Sequence, residues 1–148
     1  MIKFFSGLLI FTIACLLQFS FTSAGVTVNF VFAALIAFSF IFSASRGEFW
    51  ELFFFVLAGV FLMNWLPAPS FALAAFAAIP LLTYLLGAVF PWEAWIGIII
   101  SLFSGFIIFY LITAPRFIII ATPLFSLDLF LGLAFGLMIF LYMDHAFE

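Results

Sequence analysis

Charge is almost missing from this 148-residue chain: Lys3, Arg46 and Arg116 are its only cations, and six acids bring the formal net charge to -3. Three scattered cations make no basic patch that neutralises phosphates, which excludes nucleic acid as a partner. Histidine and cysteine occur once each, as His145 and Cys15. A metal site would therefore lack a second imidazole or thiolate, a Ser/His pair would need the tail brought into the body of the protein, and no intrachain disulfide can form. Facing carboxylates are missing as well, because Asp128 alone lies well inside an apolar segment. With so few groups able to act as general acid or base, the expectation is a protein without enzymatic activity, cofactor or metal.

What is there is apolar. Hydrophobic residues make up 70% of the chain, 27 residues are Phe, and the mean hydropathy is +1.54, whereas soluble domains are roughly half apolar and about a quarter charged. A spanning helix needs roughly 20 apolar residues, so about six fit. Barrel strands would alternate apolar with polar residues, whereas this chain gives unbroken apolar runs of helical length. The fold expected is an all-α integral membrane protein with about six transmembrane helices in one bundle. Pro, Gly, Ser and the few charges mark the exits from hydrocarbon and set the spans at about 4–21, 28–42, 48–66, 71–86, 92–113 and 124–143. Between the last two, Phe117 to Ala121 is too short to span, and Thr122-Pro123 reads as an N-cap followed by proline at the first helical position.

Trp50 and Trp65 bracket the third span at ~22 Å, close to the thickness that aromatic belts straddle. Trp92 and Trp95 return to the side of Trp50 if the spans number six. Lys3 and Arg46 then share one side with Arg116 on the other, a bias that puts both termini in the cytoplasm. Lys3 before an apolar core and Thr22-Ser23-Ala24 after it imitate a secretory signal, but the core is longer than such signals use, and a first transmembrane helix is the preferred reading. Cys15 reads as a small buried hydrophobe.

Polar residues inside spans are costly. Asp128 lies about one and a half turns into the sixth span, where it lines a cavity or ion path, or else sits near the membrane edge, favoured by the helix N-terminus or paired with Arg116. Gln18, Asn29 and Asn64 fall at one membrane face and suit interhelical hydrogen bonds or interfacial solvation. Arg46, Glu48 and Glu51 make a charged collar at the opposite face, a solvated boundary or a docking point for a cytoplasmic partner. Small residues spaced by four, Ala33/Ala37, Ala74/Ala78, Ser101/Gly105 and Gly132/Gly136, let helices approach closely.

Several features fall in one order along the first half of the chain. Leu16-Leu17-Gln18 ends the first helix, Asn29 introduces the second, and Arg46-Gly47 turns into the third. Ala58-Gly59 follows within that helix, and Pro67 to Ser70 leads into a fourth rich in small residues. Over about residues 16–86 this order resembles the MreD family of rod-shape-determining proteins. Asn29 stands without the family's preceding proline, the family's acid in the third helix falls at Met63 beside Asn64, and the C-terminus is acidic where the family's is commonly basic. The resemblance implies a non-enzymatic scaffold of cell-wall elongation in the bacterial inner (cytoplasmic) membrane. It acts there in cell shape and peptidoglycan synthesis with MreC, MreB and RodA-type partners. A groove lined by Gly59, Asn64 and the collar Arg46, Gly47, Glu48 and Glu51 would carry the contacts. The alternative is a substrate-binding S component of an energy-coupling-factor transporter, whose six-helix plan is similar. A small-molecule ligand would then bind near Asn29, Asn64, Trp65 and Asp128.

Overall fold

The computed structural model of the chain describes residues 2–26, 28–42, 48–63, 70–89 and 93–147. The described residues form seven helices and no strand: α1 (Ile2–Ser23), α2 (Phe30–Ile41), α3 (Phe49–Met63), α4 (Phe71–Val89), α5 (Ala94–Thr113), α6 (Pro115–Ile120) and α7 (Thr122–Phe147). The all-helical expectation thus holds. Helices α1, α5 and α7 are long and apolar enough to cross a membrane, while α2, α3 and the apolar stretch Phe71–Gly87 of α4 are shorter.

Local chemistry sets the ends. After α1, Gly25 takes a φ of 80°, the only positive φ among the described residues, and Val26 N–H reaches back to the Phe21 carbonyl at 2.9 Å. That is a Schellman-type stop, whose left-handed position glycine occupies without a Cβ penalty. Pro115 opens α6, where a missing N–H costs nothing. Pro80 by contrast lies inside α4, which runs through it to Val89, past the boundary expected near residue 86. Its ring offers no N–H to the Phe76 carbonyl. One expectation needs correction: Thr122 does not cap α7 with its side chain. Its hydroxyl turns back to the Ile118 and Ile119 carbonyls at 2.8 and 3.1 Å, joining α6 to α7.

Helix α2 is the axis of the molecule. It packs against α1, α3, α4, α5 and α7, and Phe30 to Ser39 are all buried. A helix apolar all round must be enclosed, since it has no polar face to offer water. Its phenylalanines reach out in turn. Phe30 meets Phe21 of α1 and Phe135 of α7 at 5.2 and 5.1 Å, Phe32 meets Phe106 and Phe109 of α5 at 5.3 and 4.9 Å, and Phe38 meets Phe55 of α3 at 4.9 Å. These are the offset and edge-on separations that aromatic pairs favour.

The contacts also fix direction. Lys3 at the start of α1 pairs with Glu48 before α3 at 2.9 Å and lies over the Phe42 ring just after α2. Phe49 of α3 meets Tyr84 near the end of α4 at 5.7 Å. At the other end, the close of α1, the start of α2, the close of α5 and the start of α7 come together through Gln18, Asn29, Tyr110 and Asp128. Helices α1 to α5 and α7 therefore alternate in direction.

Candidate functional site: a buried Asn-Tyr-Asp cluster at the start of α2

Because α2 is enclosed, its N-terminus is enclosed too, and the first N–H groups of any helix have no partner within it. With Phe30 and Val31 buried and Asn29 half-buried, other helices supply partners here. Asn29 occupies the N-cap position without a capping bond from its own side chain. Its backbone N–H donates to Asp128 Oδ1 of α7 at 2.8 Å, and Val31 N–H donates to Gln18 Oε1 of α1 at 2.9 Å. A carboxylate at this spot also faces the positive end of the α2 dipole.

The remaining polar atoms close on one another. Asn29 Nδ2 donates to Asp128 Oδ2 at 2.9 Å and to the Tyr110 hydroxyl at 2.8 Å. That hydroxyl in turn donates to Asp128 Oδ2. Asp128 is fully buried and Tyr110 nearly so, yet no buried side-chain nitrogen or oxygen among the described residues lacks a partner. Tyr110 is fixed from the apolar side by Phe117, stacked at 5.3 Å and 17°, and by Phe125, edge-on at 5.3 Å. The cluster ties α2, α5 and α7 at one level, with Gln18 adding α1. One carboxylate, one amide and one phenol, each bonded to the others, hold these helices in register.

Of the residues singled out in the sequence, the structure brings Gln18, Asn29 and Asp128 to this one end. Asp128 meets Asn29 and Tyr110 rather than Arg116, whose side chain is exposed one helix away. Arg46, Gly47 and Asn64 lie outside the described residues, as does Trp65. Glu48 holds Lys3, and Glu51 lies half-buried in the first turn of α3. Gly59 is not on an outer groove. It is buried, and a Cβ there would stand 3.2 Å from both Leu35 Cδ1 of α2 and Phe76 Cε1 of α4. Ala33 and Ala37 are fully buried on α2. A Cβ on Gly132 would meet Phe106 Cζ at 2.4 Å, and one on Gly136 would meet both methyls of Leu102 at 2.8 Å. Ala74 and Ala78 face outward.

Tyr110 escaped the sequence reading. Within Phe109-Tyr110-Leu111 it looks like one more bulky aromatic near a span end. The signal was its hydroxyl, which needs a partner once the ring is buried. Among the described residues no group of three or more His, Cys, Asp and Glu side chains stands close enough to hold a metal ion. No family model, no curated protein and no solved structure matches this chain.

Proposed function

We propose that the chain is a multi-pass membrane protein of non-enzymatic, scaffolding function, with α1, α2, α3, α4, α5 and α7 as its six spans and both termini in the cytoplasm. The observation that carries this reading is how the few polar groups inside the chain are used. Asn29, Tyr110, Asp128 and Gln18 spend their hydrogen bonds joining helices, while large apolar side chains such as Leu9, Ile108 and Phe130 cover the outside. Polar groups engaged with one another position helices; polar groups that bind a solute converge on an open cavity. The same observation weighs against the transporter S-component alternative, whose ligand would need Asn29 and Asp128 for itself.

The specific role we propose follows the resemblance over residues 16–86: an MreD-like organiser of cell-wall elongation in the bacterial cytoplasmic membrane, recognising MreC and RodA-type partners by helix faces. With Gly59 buried against α2 and α4, the part of that groove left among the described residues is Glu48 and Glu51 at the start of α3. A mild-detergent pull-down of the tagged chain from its native membrane, read by mass spectrometry for proteins and small molecules, tests this. Recovery of MreC or RodA is expected. Their absence, together with a stoichiometric small-molecule ligand or an ATPase module, overturns the scaffold reading in favour of transport.

A further inference from the structure

Helix α5 does not run directly into α7. Ala114 leaves the helix, Pro115 opens α6, and Ala121 alone joins α6 to α7. Along this elbow, Phe117 and Ile118 turn toward the core, while Ile119 and Ile120 are 81% and 80% exposed. An elbow in water would leave its carbonyls to be hydrated. Here they are served from within: Phe117 O accepts Ala121 N–H at 2.9 Å, and Ala121 O accepts Phe125 N–H at 3.0 Å. The ordinary donor to Ile119 O would come from Pro123, which has no N–H. The Thr122 hydroxyl lies in its place, 2.8 Å from Ile118 O and 3.1 Å from Ile119 O. A backbone bend that satisfies itself behind an apolar tip is what survives where water is scarce.

Charge at this end points to the other half of the environment. Glu48, Glu51, Glu93 and Asp144 all belong to the Lys3 end by the alternating directions of the helices, and Asp128 is sealed inside. Residues 64–69 carry no formal charge. Among the described residues, Arg116, in the first turn of α6, is thus the only exposed charged side chain at the Asn29 end, and no acid among them answers it there.

We propose that α6 is an interfacial elbow: Ile119 and Ile120 dip into the acyl region, and Arg116 meets the phosphate of an anionic phospholipid in that leaflet. This inference rests on the membrane reading above. The test uses the full chain with Cys15→Ala, carrying a nitroxide at Ile119→Cys or, separately, at Ile108→Cys on the outer face of α5. Both are reconstituted in vesicles of phosphatidylcholine with a minor share of phosphatidylglycerol. Collisions with oxygen and with a water-soluble nickel chelate then report depth. Position 119 is expected to favour oxygen, as position 108 does. Oxygen at 108 with nickel at 119 overturns the elbow alone, whereas nickel at both sites overturns the membrane reading itself. Shielding of 119 from both agents places a second copy of the chain over α6 and also overturns the elbow. For Arg116, native mass spectrometry from mixed-lipid nanodiscs should show Arg116→Gln retaining roughly fivefold less phosphatidylglycerol relative to phosphatidylcholine, the weight one cation carries beside an anionic leaflet. Unchanged retention overturns the phosphate contact.

Discussion

Replacing Asp128 by alanine should be among the most damaging single changes in the chain. The carboxylate accepts from Asn29 N–H, Asn29 Nδ2 and the Tyr110 hydroxyl. Without it, Nδ2 keeps the tyrosine oxygen at 2.8 Å, but Asn29 N–H and the phenolic proton lose their acceptor in a largely buried site. Each stranded donor costs about 1–3 kcal/mol, and interhelical hydrogen bonds measured within membranes average about 0.6 kcal/mol, which sets the lower edge. Loss of the carboxylate from the α2 N-terminus adds a few tenths to about 2 kcal/mol. The expected cost is therefore about 1.5–8 kcal/mol for Asp128→Ala, falling to about 1–2 kcal/mol for Asp128→Asn, which keeps one acceptor of the same shape. Reversible unfolding by dodecyl sulfate in mixed micelles, followed by circular dichroism, gives these numbers. A cycle with Tyr110→Phe reports the coupling, because that change costs about 1 kcal/mol with Asp128 present and less without it, where the bond lost from Asn29 Nδ2 is offset by removal of the stranded phenolic proton. Should Asp128→Ala unfold within about 0.5 kcal/mol of the parent, or the two single costs simply add, the cluster would not be what holds these helices together.

Gln18→Leu strands the Val31 N–H that Gln18 serves and should cost about 1–3 kcal/mol in the same titration, while Leu16→Ala on the exposed face of the same helix should barely register. Gly132→Ala drives a Cβ to 2.4 Å from Phe106 and should destabilise by about 1–3 kcal/mol, whereas Gly87→Ala, with nothing within 4 Å, should be neutral or gain up to about 1 kcal/mol from helix propensity. Lys3→Gln breaks a pair whose side chains are 17% and 22% exposed, so its unfolding midpoint should shift by no more than about 1 kcal/mol.

How much of this was legible in the residues follows from contrast. Of the apolar runs read between breakers, the second, expected at 28–42, coincides with helix α2 at Phe30–Ile41, and the third, expected to begin at Glu48, with α3 from Phe49. The central place of α2 was not legible. Hydrophobicity separates core from surface only where the surface is wet, and here every helix is apolar, so Leu35 inside and Leu9 outside look alike. The small-residue spacing marked Gly132 and Gly136 but could not separate them from Ala74 and Ala78, which face outward. Asp128 stood out as an expensive residue, yet its partners are 99 and 18 positions away, and nothing local names them. Phe117 to Ala121 read as too short to span, and the structure has α6 at Pro115–Ile120, whose link to α7 includes the Thr122 hydroxyl.

The bond between Asn29 and Asp128 has a further meaning during synthesis. Helix α2 leaves the ribosome early, and the carboxylate that caps it follows Asn29 by 99 residues. Until Asp128 arrives, a nascent chain holds an α2 whose first N–H lacks its carboxylate partner, a polar defect that only synthesis through the start of α7 closes.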